Sequence, residues 1–335
     1  MHLVQLIHGT RGRRVAVVDE PKLTLLKSQA SVYQLARTAI ERGTSLAAIV
    51  DEDRSADTLD YDAVYDGQSD WRLLPAFDHP DDPAYCLVTG TGLTHQASAA
   101  NRDKMHEAAS AGELNDSMRM YLAGVEGGRP VAGAIGVQPE WFYKGTGAVL
   151  RAHGQPLVQP AFADDAGEEP EVAAAYIVNA RSTPWRIGFA PANEFADHVM
   201  EKKNYLYLAH SKLRQCALGP ELSLDETFES LTGTVTITRG GETLWSSEIR
   251  SGEAEMAHSL ANLEYHHFKY AEHRLPGQAH VHFFGASAFS FGAGVRLADG
   301  DVMEIAWQQL GRPLRNTLRV EAGPAKTISV AKFGR

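Results

Sequence analysis

The sequence predicts a strand-rich α+β protein with a small N-terminal α/β domain. Beyond about residue 78, short runs of alternating apolar and polar residues outnumber helical repeats. These strands do not alternate regularly with helices, which disfavours a doubly wound parallel sheet. Pro75, Pro80 and Pro83 lie within nine residues, exclude a helix or a central strand there and indicate a linker. We therefore expect a small domain at residues 1–78 and a larger domain at residues 79–335.

Two strands and one helix are expected in the N-terminal domain. Residues 2–8 and 13–20 are strand-like, and the loop between them reads as a hairpin connection. A helix is expected from about Ser31, because apolar residues then recur at the i, i+3, i+4 spacing of one buried face. Gly43 suits the end of this helix, since glycine is common just beyond a helix C-terminus. The apolar positions of the helix are Val32, Leu35, Ala36, Ala39 and Ile40.

A hairpin and a helix are the clearest elements of the larger domain. Residues 234–238 alternate, Gly240-Gly241 supplies a tight turn, and the chain returns over residues 243–246. Apolar residues at helical spacing predict a helix over residues 255–270. A short strand is expected near the C-terminus at residues 302–308.

A further strand at residues 279–284 contains two alternating histidines, His280 and His282. They would share one face of the strand, which suits a metal pair, but no carboxylate lies beside them at ligand spacing. The simpler interpretation is that this face contacts solvent. In the helix that precedes them, we expect His267 to pack in the core and His266 to be exposed.

Composition excludes several classes of protein. The net charge of −10 disfavours a broad basic surface for nucleic acid. No run approaches the roughly 18 consecutive apolar residues of a membrane helix, and the N-terminus lacks the pattern of a signal peptide. Cys86 and Cys216 are the only cysteines, which excludes disulfide scaffolds and cysteine-rich zinc sites. We expect a reduced, cytoplasmic protein with no nucleic-acid or membrane partner.

Two glutamates at the start of an apolar run are the most informative feature. Glu169 and Glu171 precede the strand-like residues 172–178, and residues two apart in a strand point to one face. Two carboxylates this close are costly unless a cation neutralises them or one of them binds a proton. Mg²⁺ or Mn²⁺ suits such oxygen ligands. The alternative is a solvated strand face, although Pro170 between the glutamates does place them at a strand start or edge.

A second polar cluster follows about twenty residues later. It contains Asn193, Glu194, Asp197 and His198, and after a further stretch Lys212. Leucines and a cysteine flank this lysine, and a partly apolar setting tends to lower a lysine pKa. Alternatively, its aliphatic stem packs and its ammonium group lies in water.

These motifs occur in the order found in the fumarylacetoacetate hydrolase superfamily, which the chain resembles over about residues 84–320. The family pattern is an E-x-E pair, a G-[YF]-x-x-x-N segment followed by an acid, then a lysine and a G-P pair. The third acid is usually Asp in the family and is Glu here. The matching segments are Glu169-Pro-Glu171, Gly188-Phe-Ala-Pro-Ala-Asn193-Glu194, Lys212 and Gly219-Pro220, with Pro139-Glu-Trp-Phe-Tyr-Lys144 upstream and Leu297-Ala-Asp-Gly-Asp301 and Gly311-Arg-Pro-Leu-Arg-Asn316 downstream.

The resemblance implies a mixed β-roll, typically dimeric, so we expect a homodimer. It implies Mg²⁺, with Mn²⁺ as the alternative, held by Glu169, Glu171 and Glu194. Substrates of the family are small 2-oxo acids, whose carboxylate and carbonyl a divalent ion can chelate together. Residues 207–220 are similar to the variant found in the branch of 2-keto-3-deoxy sugar-acid dehydratases.

The resemblance also implies the acid–base and substrate groups. His95 lies on a segment from Thr89 to His106-Glu107 that resembles the lid helix of the family, and it is our first candidate for a proton shuttle. Lys212 is the second catalytic candidate. Lys144 and Asn193 are the candidate substrate-binding residues. The simpler alternatives are that His95 caps the lid helix and that Lys144 lies on the surface.

Three functions follow as hypotheses. The first is Mg²⁺-dependent dehydration of a 2-keto-3-deoxy pentonate, of the arabinonate or xylonate type, to 2-oxoglutarate semialdehyde through an enolate that the metal stabilises. The second is hydrolysis of a carbon–carbon bond in an acylpyruvate or diketo acid at the same site. The third is a non-catalytic sugar-acid-binding protein, which retention of the three carboxylates and Lys212 disfavours.

Overall fold

The computed structural model describes residues 1–96 and 116–334, and within these ranges it contains two mixed sheets with helices packed against them. Of the predicted lid segment, His106-Glu107 lies outside the described residues. No helix in the described ranges is both long enough and apolar enough to cross a membrane. The helices are α1 Val32–Arg42, α2 Leu46–Asp53, α3 Tyr61–Tyr65, α4 Asp116–Gly127, α5 His198–Lys203, α6 Leu208–Lys212 and α7 Leu260–Phe268.

The strands alternate irregularly with these helices, as expected. The strands are β1 His2–His8, β2 Gly12–Asp19, β3 Lys22–Leu26, β4 Arg54–Asp60, β5 Trp71–Leu73, β6 Cys86–Gly90, β7 Phe142–Thr146, β8 Leu150–Arg151, β9 Leu157–Gln159, β10 Pro170–Val178, β11 Pro184–Asn193, β12 Cys216–Leu218, β13 Leu222–Ser223, β14 Leu231–Arg239, β15 Glu242–Ser251, β16 Ala279–Phe283, β17 Val302–Trp307 and β18 Leu314–Val320.

The larger sheet runs in the order β4-β3-β2-β1-β13-β11-β10-β16-β6-β7, with β5, β8 and β12 attached beside this path. Most neighbours are antiparallel, but β16 and β6 are parallel. Strand β10 lies near the middle, and every residue of it is buried. This explains why its sequence is a continuous apolar run, since both of its faces are covered. The smaller sheet has the order β15-β14-β17-β18-β9.

The predicted N-terminal hairpin and helix are both confirmed. Strands β1 and β2 pair antiparallel. Helix α1 begins after Ser31, whose side chain accepts a hydrogen bond from the backbone N–H of Gln34. It ends at Gly43, whose φ of 63° lies in the left-handed region that favours glycine.

The segment predicted as a linker is packed against the protein over its first part. Ala76 and Phe77 are fully buried. The Asp78 carboxylate accepts hydrogen bonds from Arg13 at 2.9 and 2.6 Å and from Gln5 at 2.9 Å. The linker interpretation is therefore wrong for residues 76–78, because Ala76 and Phe77 pack in the core and Asp78 pairs with Arg13. Residues 81–84 are exposed, as a linker would be.

The N-terminal strands are continuous with the main sheet, because β1 pairs with β13 through Leu3 and Leu222. Leu3 and Val32 also lie in one core cluster with Ala173 of β10. The independence of residues 1–78 as a folding unit stays a prediction.

Limited proteolysis tests this boundary. We expect the first cut within the exposed residues 81–84, and we expect the two fragments to elute together from a size-exclusion column, because the β1–β13 pairing and the shared core hold them. The same nicked sample should separate in denaturant. Release of the N-terminal fragment under native conditions would instead show an independent domain.

In the C-terminal half, the predicted hairpin is confirmed as β14 and β15, with Gly240 and Gly241 at positive φ in the turn. The predicted helix is five residues shorter at its start. Helix α7 begins after Ser259, whose side chain accepts a hydrogen bond from the N–H of Asn262, so this capping residue sets the start. Strands β16 and β17 agree with the prediction to within one residue, and β18 adds a strand that was not predicted.

The expectation of a solvated histidine face on β16 is wrong. His280 and His282 are buried, because β16 lies between β10 and β6 and His267 of α7 packs against His280. The Nε2 atom of His267 on α7 lies 3.0 Å from Nδ1 of His280, which confirms His267 as a core residue. His266 is also buried rather than exposed, with Nε2 3.0 Å from the carbonyl oxygen of Gly136.

Candidate metal centre

Three carboxylates meet at one end of the β10–β11 hairpin. In this antiparallel pair, Pro170 lies opposite Asn193, so Glu169 and Glu171 at the start of β10 face Glu194, which follows the end of β11. The backbone N–H of Glu194 donates to the carbonyl oxygen of Glu169 at 2.9 Å and extends the pairing beyond the strands. One carboxylate oxygen from each glutamate lies within 4.8 Å of the other two. The structure therefore brings the three predicted ligands together.

The cluster is buried, and its carboxylates repel one another. Glu171 and Glu194 are fully buried, and Glu171 accepts a hydrogen bond from the backbone N–H of Gly285 at 2.6 Å. Burial, together with the carboxylates of Glu194 and Glu169, raises the pKa of Glu171 well above its usual range. Burial also raises the pKa of Glu194, although two lysines oppose the shift. The charged form of Glu171 is therefore disfavoured in this cluster.

Two buried lysines contact the cluster. The ammonium group of Lys212, at the end of α6, contacts Glu169 and lies 2.5 Å from Oε2 of Glu194. The ammonium group of Lys144, on β7, lies 2.5 Å from Oε1 of Glu194 and donates to the carbonyl oxygen of Phe195 at 2.5 Å. The setting of Lys212 is thus ionic on one side, while the ring of Phe142 lies 5.0 Å from its Nζ on another. The surface alternative for Lys144 is excluded by its burial.

Sequence reasoning did not assign a role to His198. The side chain is buried, and its Nε2 lies 3.0 Å from Oε1 of Glu169. Burial alone would lower the pKa of His198. The hydrogen bond to Glu169 and the charge of that carboxylate outweigh burial, so the pKa of His198 is raised. For Glu169, burial alone would raise the pKa, but the charges of Lys212 and His198 outweigh burial and lower it. The signal in the sequence was the position of His198, four residues after Glu194.

His95 lies beside a cavity of about 790 Å³, whose wall also contains Tyr121, Arg129 and Arg250. Its ring is buried, and burial lowers the pKa of His95 to about 4. The hydroxyl of Thr94 donates to the carbonyl oxygen of Phe284 at 2.6 Å, and the next residue, Gly285, donates to Glu171. Two hydrogen bonds on consecutive residues thus connect the His95 segment to the carboxylates.

Asn193 lies beside Glu194 and is fully buried. Its amide nitrogen lies 3.8 Å from the sulfur of Met303, and within the described residues its Oδ1 meets no hydrogen-bond donor. Its predicted contact with substrate stays a prediction.

The carboxylate cluster fits a divalent cation. All three donors are carboxylate oxygens, which hard cations such as Mg²⁺ and Mn²⁺ prefer. Burial and the two neighbouring carboxylates raise the pKa of Glu171, so its charged form is disfavoured without a further positive charge. A cation bound by the cluster would favour the charged form of Glu171.

No protein-family model matches the sequence, and a search of curated proteins finds no match. Solved structures do match. A structure of 2-keto-3-deoxyarabinonate dehydratase aligns at 19% identity over 96% of this chain and 100% of that chain, with a TM-score of 0.72. A 2-keto-3-deoxy-D-arabinonate dehydratase complexed with magnesium and 2,5-dioxopentanoate aligns over the same shares at 18% identity, with a TM-score of 0.71.

A 5-carboxymethyl-2-hydroxymuconate delta-isomerase from Mycobacterium smegmatis also aligns, at 15% identity over 96% of this chain and 100% of that chain. Its TM-score is 0.57. The chain has the fold of these structures, and the predicted fumarylacetoacetate hydrolase type of fold is confirmed.

Proposed function

We propose that this chain is a hydro-lyase that dehydrates a 2-keto-3-deoxy pentonate, of the arabinonate or xylonate type, to 2-oxoglutarate semialdehyde, with Mg²⁺ or Mn²⁺ as its cofactor. The observation that carries the proposal is the buried cluster of Glu169, Glu171 and Glu194. The likeness in fold to a dehydratase complexed with magnesium and 2,5-dioxopentanoate supports the choice of substrate class. The predicted homodimer and cytoplasmic location stay predictions.

Charge balance supports an anionic substrate at this cluster. With His198 neutral, the state that a nearby cation would favour, the three carboxylates exceed the two contacting lysines by one negative charge. One divalent cation would convert this excess to one positive charge, and the carboxylate of one 2-oxo acid would neutralise it. A buried site that reaches neutrality only with both cation and monoanion present favours their joint binding.

Glu169, Glu171 and Glu194 would hold the cation. When bound, it supplies a positive charge that polarises the C2 carbonyl of the substrate and makes the C3 proton more acidic. The chain's own residues must then accept that proton and return one to the departing C4 hydroxyl. Loss of this hydroxyl as water, followed by tautomerisation, converts the C5 carbinol into the aldehyde.

His95 is the proposed proton acceptor, and its hydrogen bonds define which ring nitrogen is unprotonated. Its Nδ1 lies 3.0 Å from the hydroxyl oxygen of Thr94, and that hydroxyl already donates its one hydrogen to Phe284. The Thr94 oxygen must therefore accept, so Nδ1 of His95 carries the hydrogen and Nε2 carries the lone pair. With a pKa that burial lowers to about 4, His95 is neutral near pH 7, so its Nε2 is free to accept a proton, although as a weaker base than an exposed imidazole.

Lys212 and Lys144 have different proposed roles. Lys212 contacts two of the three ligands, so its ammonium group can hold the substrate carboxylate or exchange a proton at C3. Lys144 contacts Glu194 and fixes that side chain between β7 and β11, and its predicted contact with the substrate stays a prediction.

Carbon–carbon bond hydrolysis of an acylpyruvate or diketo acid remains the second candidate. The observation in its favour is again the neutral Nε2 of His95, since the same lone pair could activate a water molecule. The likeness to an isomerase indicates that this fold accommodates reactions other than dehydration.

Incubation with a panel of 2-keto-3-deoxy acids and acylpyruvates, in the presence of Mg²⁺, tests the proposal. We expect products that have lost one water and kept every carbon, identified by mass. Pyruvate plus a second acid would select the hydrolase, and no turnover of any panel member would favour a binding protein. Protein carrying Glu171→Gln serves as the control for a contaminating activity.

A further inference from the structure

His198 is a buried histidine whose surroundings fix its ring from several sides. It is the first residue of α5, and the Asp197 side chain caps that helix by accepting from the N–H of Met200 at 2.9 Å. The rings of Phe289 and Phe291 stack on it, each with a centroid separation of 5.0 Å, at interplanar angles of 10° and 24°. Two stacked aromatic rings restrict rotation of the imidazole about its Cβ–Cγ bond.

The stacking rings are themselves held in place. The carboxylate of Glu168 accepts hydrogen bonds from the N–H of Ser290 at 2.6 Å and from its hydroxyl at 2.7 Å. This anchors the turn that carries both phenylalanines to the residue immediately before Glu169. Gly167 closes another side, because a Cβ atom added there would overlap the ring of His198.

From these contacts we infer that His198 is a positioning residue that fixes Glu169 for cation binding. The inference rests on the proposed function only in its assumption that the carboxylates hold a cation. Both His198 and Lys212 contact the same oxygen, Oε1, of Glu169. Oε2 would then be left to contact a cation, and rotation of the carboxylate would break both contacts to Oε1.

Cation affinity is the quantity that this arrangement controls. Hydrogen-bond partners behind a metal ligand typically change affinity by about 10- to 100-fold when removed, because the ligand must then be ordered at the moment of binding. Glu169 is the one ligand of the three with partial solvent access, at 12% side-chain exposure. Its carboxylate is therefore the one that most needs hydrogen-bond partners to hold its orientation.

Isothermal titration with Mn²⁺ and with Mg²⁺ tests the inference without substrate. We expect His198→Ala to weaken binding by about 10- to 100-fold. We expect His198→Gln to stay within a few-fold of the native protein, because the glutamine amide can donate to Oε1 from nearly the position of Nε2. As a matched control, His153→Gln replaces a buried histidine that stacks on Tyr65, and it should leave the affinity unchanged.

Phe291→Leu provides a second variant, which loosens the ring but keeps the donor, and an intermediate loss is expected. Native affinity in His198→Ala would overturn the inference and leave the proposed function intact. An equal loss in folded His198→Gln would also overturn it, since the packing of the ring rather than its hydrogen bond would then matter. A native protein that binds no divalent cation would overturn the proposed function together with the inference.

Discussion

Glu171→Gln should abolish cation binding and activity while leaving the protein folded. The amide supplies an oxygen without the charge, and its NH₂ group faces a cluster built to accept positive charge. We expect the Mn²⁺ affinity to fall by more than about 100-fold, which is a larger loss than removal of a hydrogen-bond partner behind a ligand typically causes. Turnover should fall in parallel. Titration calorimetry and steady-state kinetics measure the two effects.

The melting temperature distinguishes a loss of cation binding in Glu171→Gln from unfolding of the variant. Burial and the carboxylates of Glu194 and Glu169 raise the pKa of Glu171, so ionisation of this group destabilises the fold as the pH rises above the usual carboxyl range. Glutamine cannot ionise. In the presence of a chelator, the variant should therefore melt at the same temperature as the native protein or higher at pH 7.

A matched control uses a buried glutamate outside the cluster. Glu221 is buried and bonded to Tyr61 and to the N–H of Arg312, and Glu221→Gln should keep native cation affinity. The native protein should lose activity on treatment with a chelator and regain it with Mg²⁺ or Mn²⁺. Turnover that persists after complete removal of divalent cations would contradict the proposed site.

Lys212→Ala should reduce kcat by on the order of 10² or more, as expected for the loss of a positioned acid–base or charge-bearing group. It should also destabilise the protein, because Glu169 and Glu194 each lose a buried partner. Breaking a buried ion pair in this way costs about 3–5 kcal/mol, and a bound cation should offset part of it. Thermal melts with and without Mg²⁺, alongside kcat, separate the two consequences.

Lys212→Arg identifies the role of the lysine. Guanidinium keeps the positive charge but stays protonated at working pH, so it cannot accept the C3 proton. Failure of Arg to restore turnover, with cation affinity and melting temperature unchanged, would support proton transfer by Lys212. Restored turnover would make the residue an electrostatic clamp, with His95 as the base. Lys203→Ala, at an exposed lysine, is the control, and native turnover in both Lys212 variants would contradict any role in the chemical step.

The sequence predicts the parts of this site that depend on local periodicity. Glu169 and Glu171 converge because residues two apart in a strand share a face, and their strand is recognisable as a buried apolar run. Helix α1 is predicted with both ends because Ser31 and Gly43 are local signals whose chemistry requires no tertiary contact. The β14–β15 hairpin follows in the same way from Gly240-Gly241.

The remainder depends on contacts between distant segments. Alternation in β16 indicates a strand, but only the tertiary structure shows that His280 and His282 have covered faces on both sides. Nothing local places Lys144 on Glu194, fifty residues later in the chain. His198 illustrates the same limit, because its role comes from Phe289 and Phe291 in another part of the chain.

The carboxylate cluster and the cavity beside His95 are built from different parts of the chain. All three glutamates lie at one end of the β10–β11 hairpin, whereas the cavity wall comes from separate segments that include Tyr121, Arg129 and Arg250. If this cavity receives the proposed substrate, mutations in its wall would alter which 2-oxo acid fits without changing the ligands. New substrate preferences can arise by divergence of the wall alone, with the hairpin inherited unchanged.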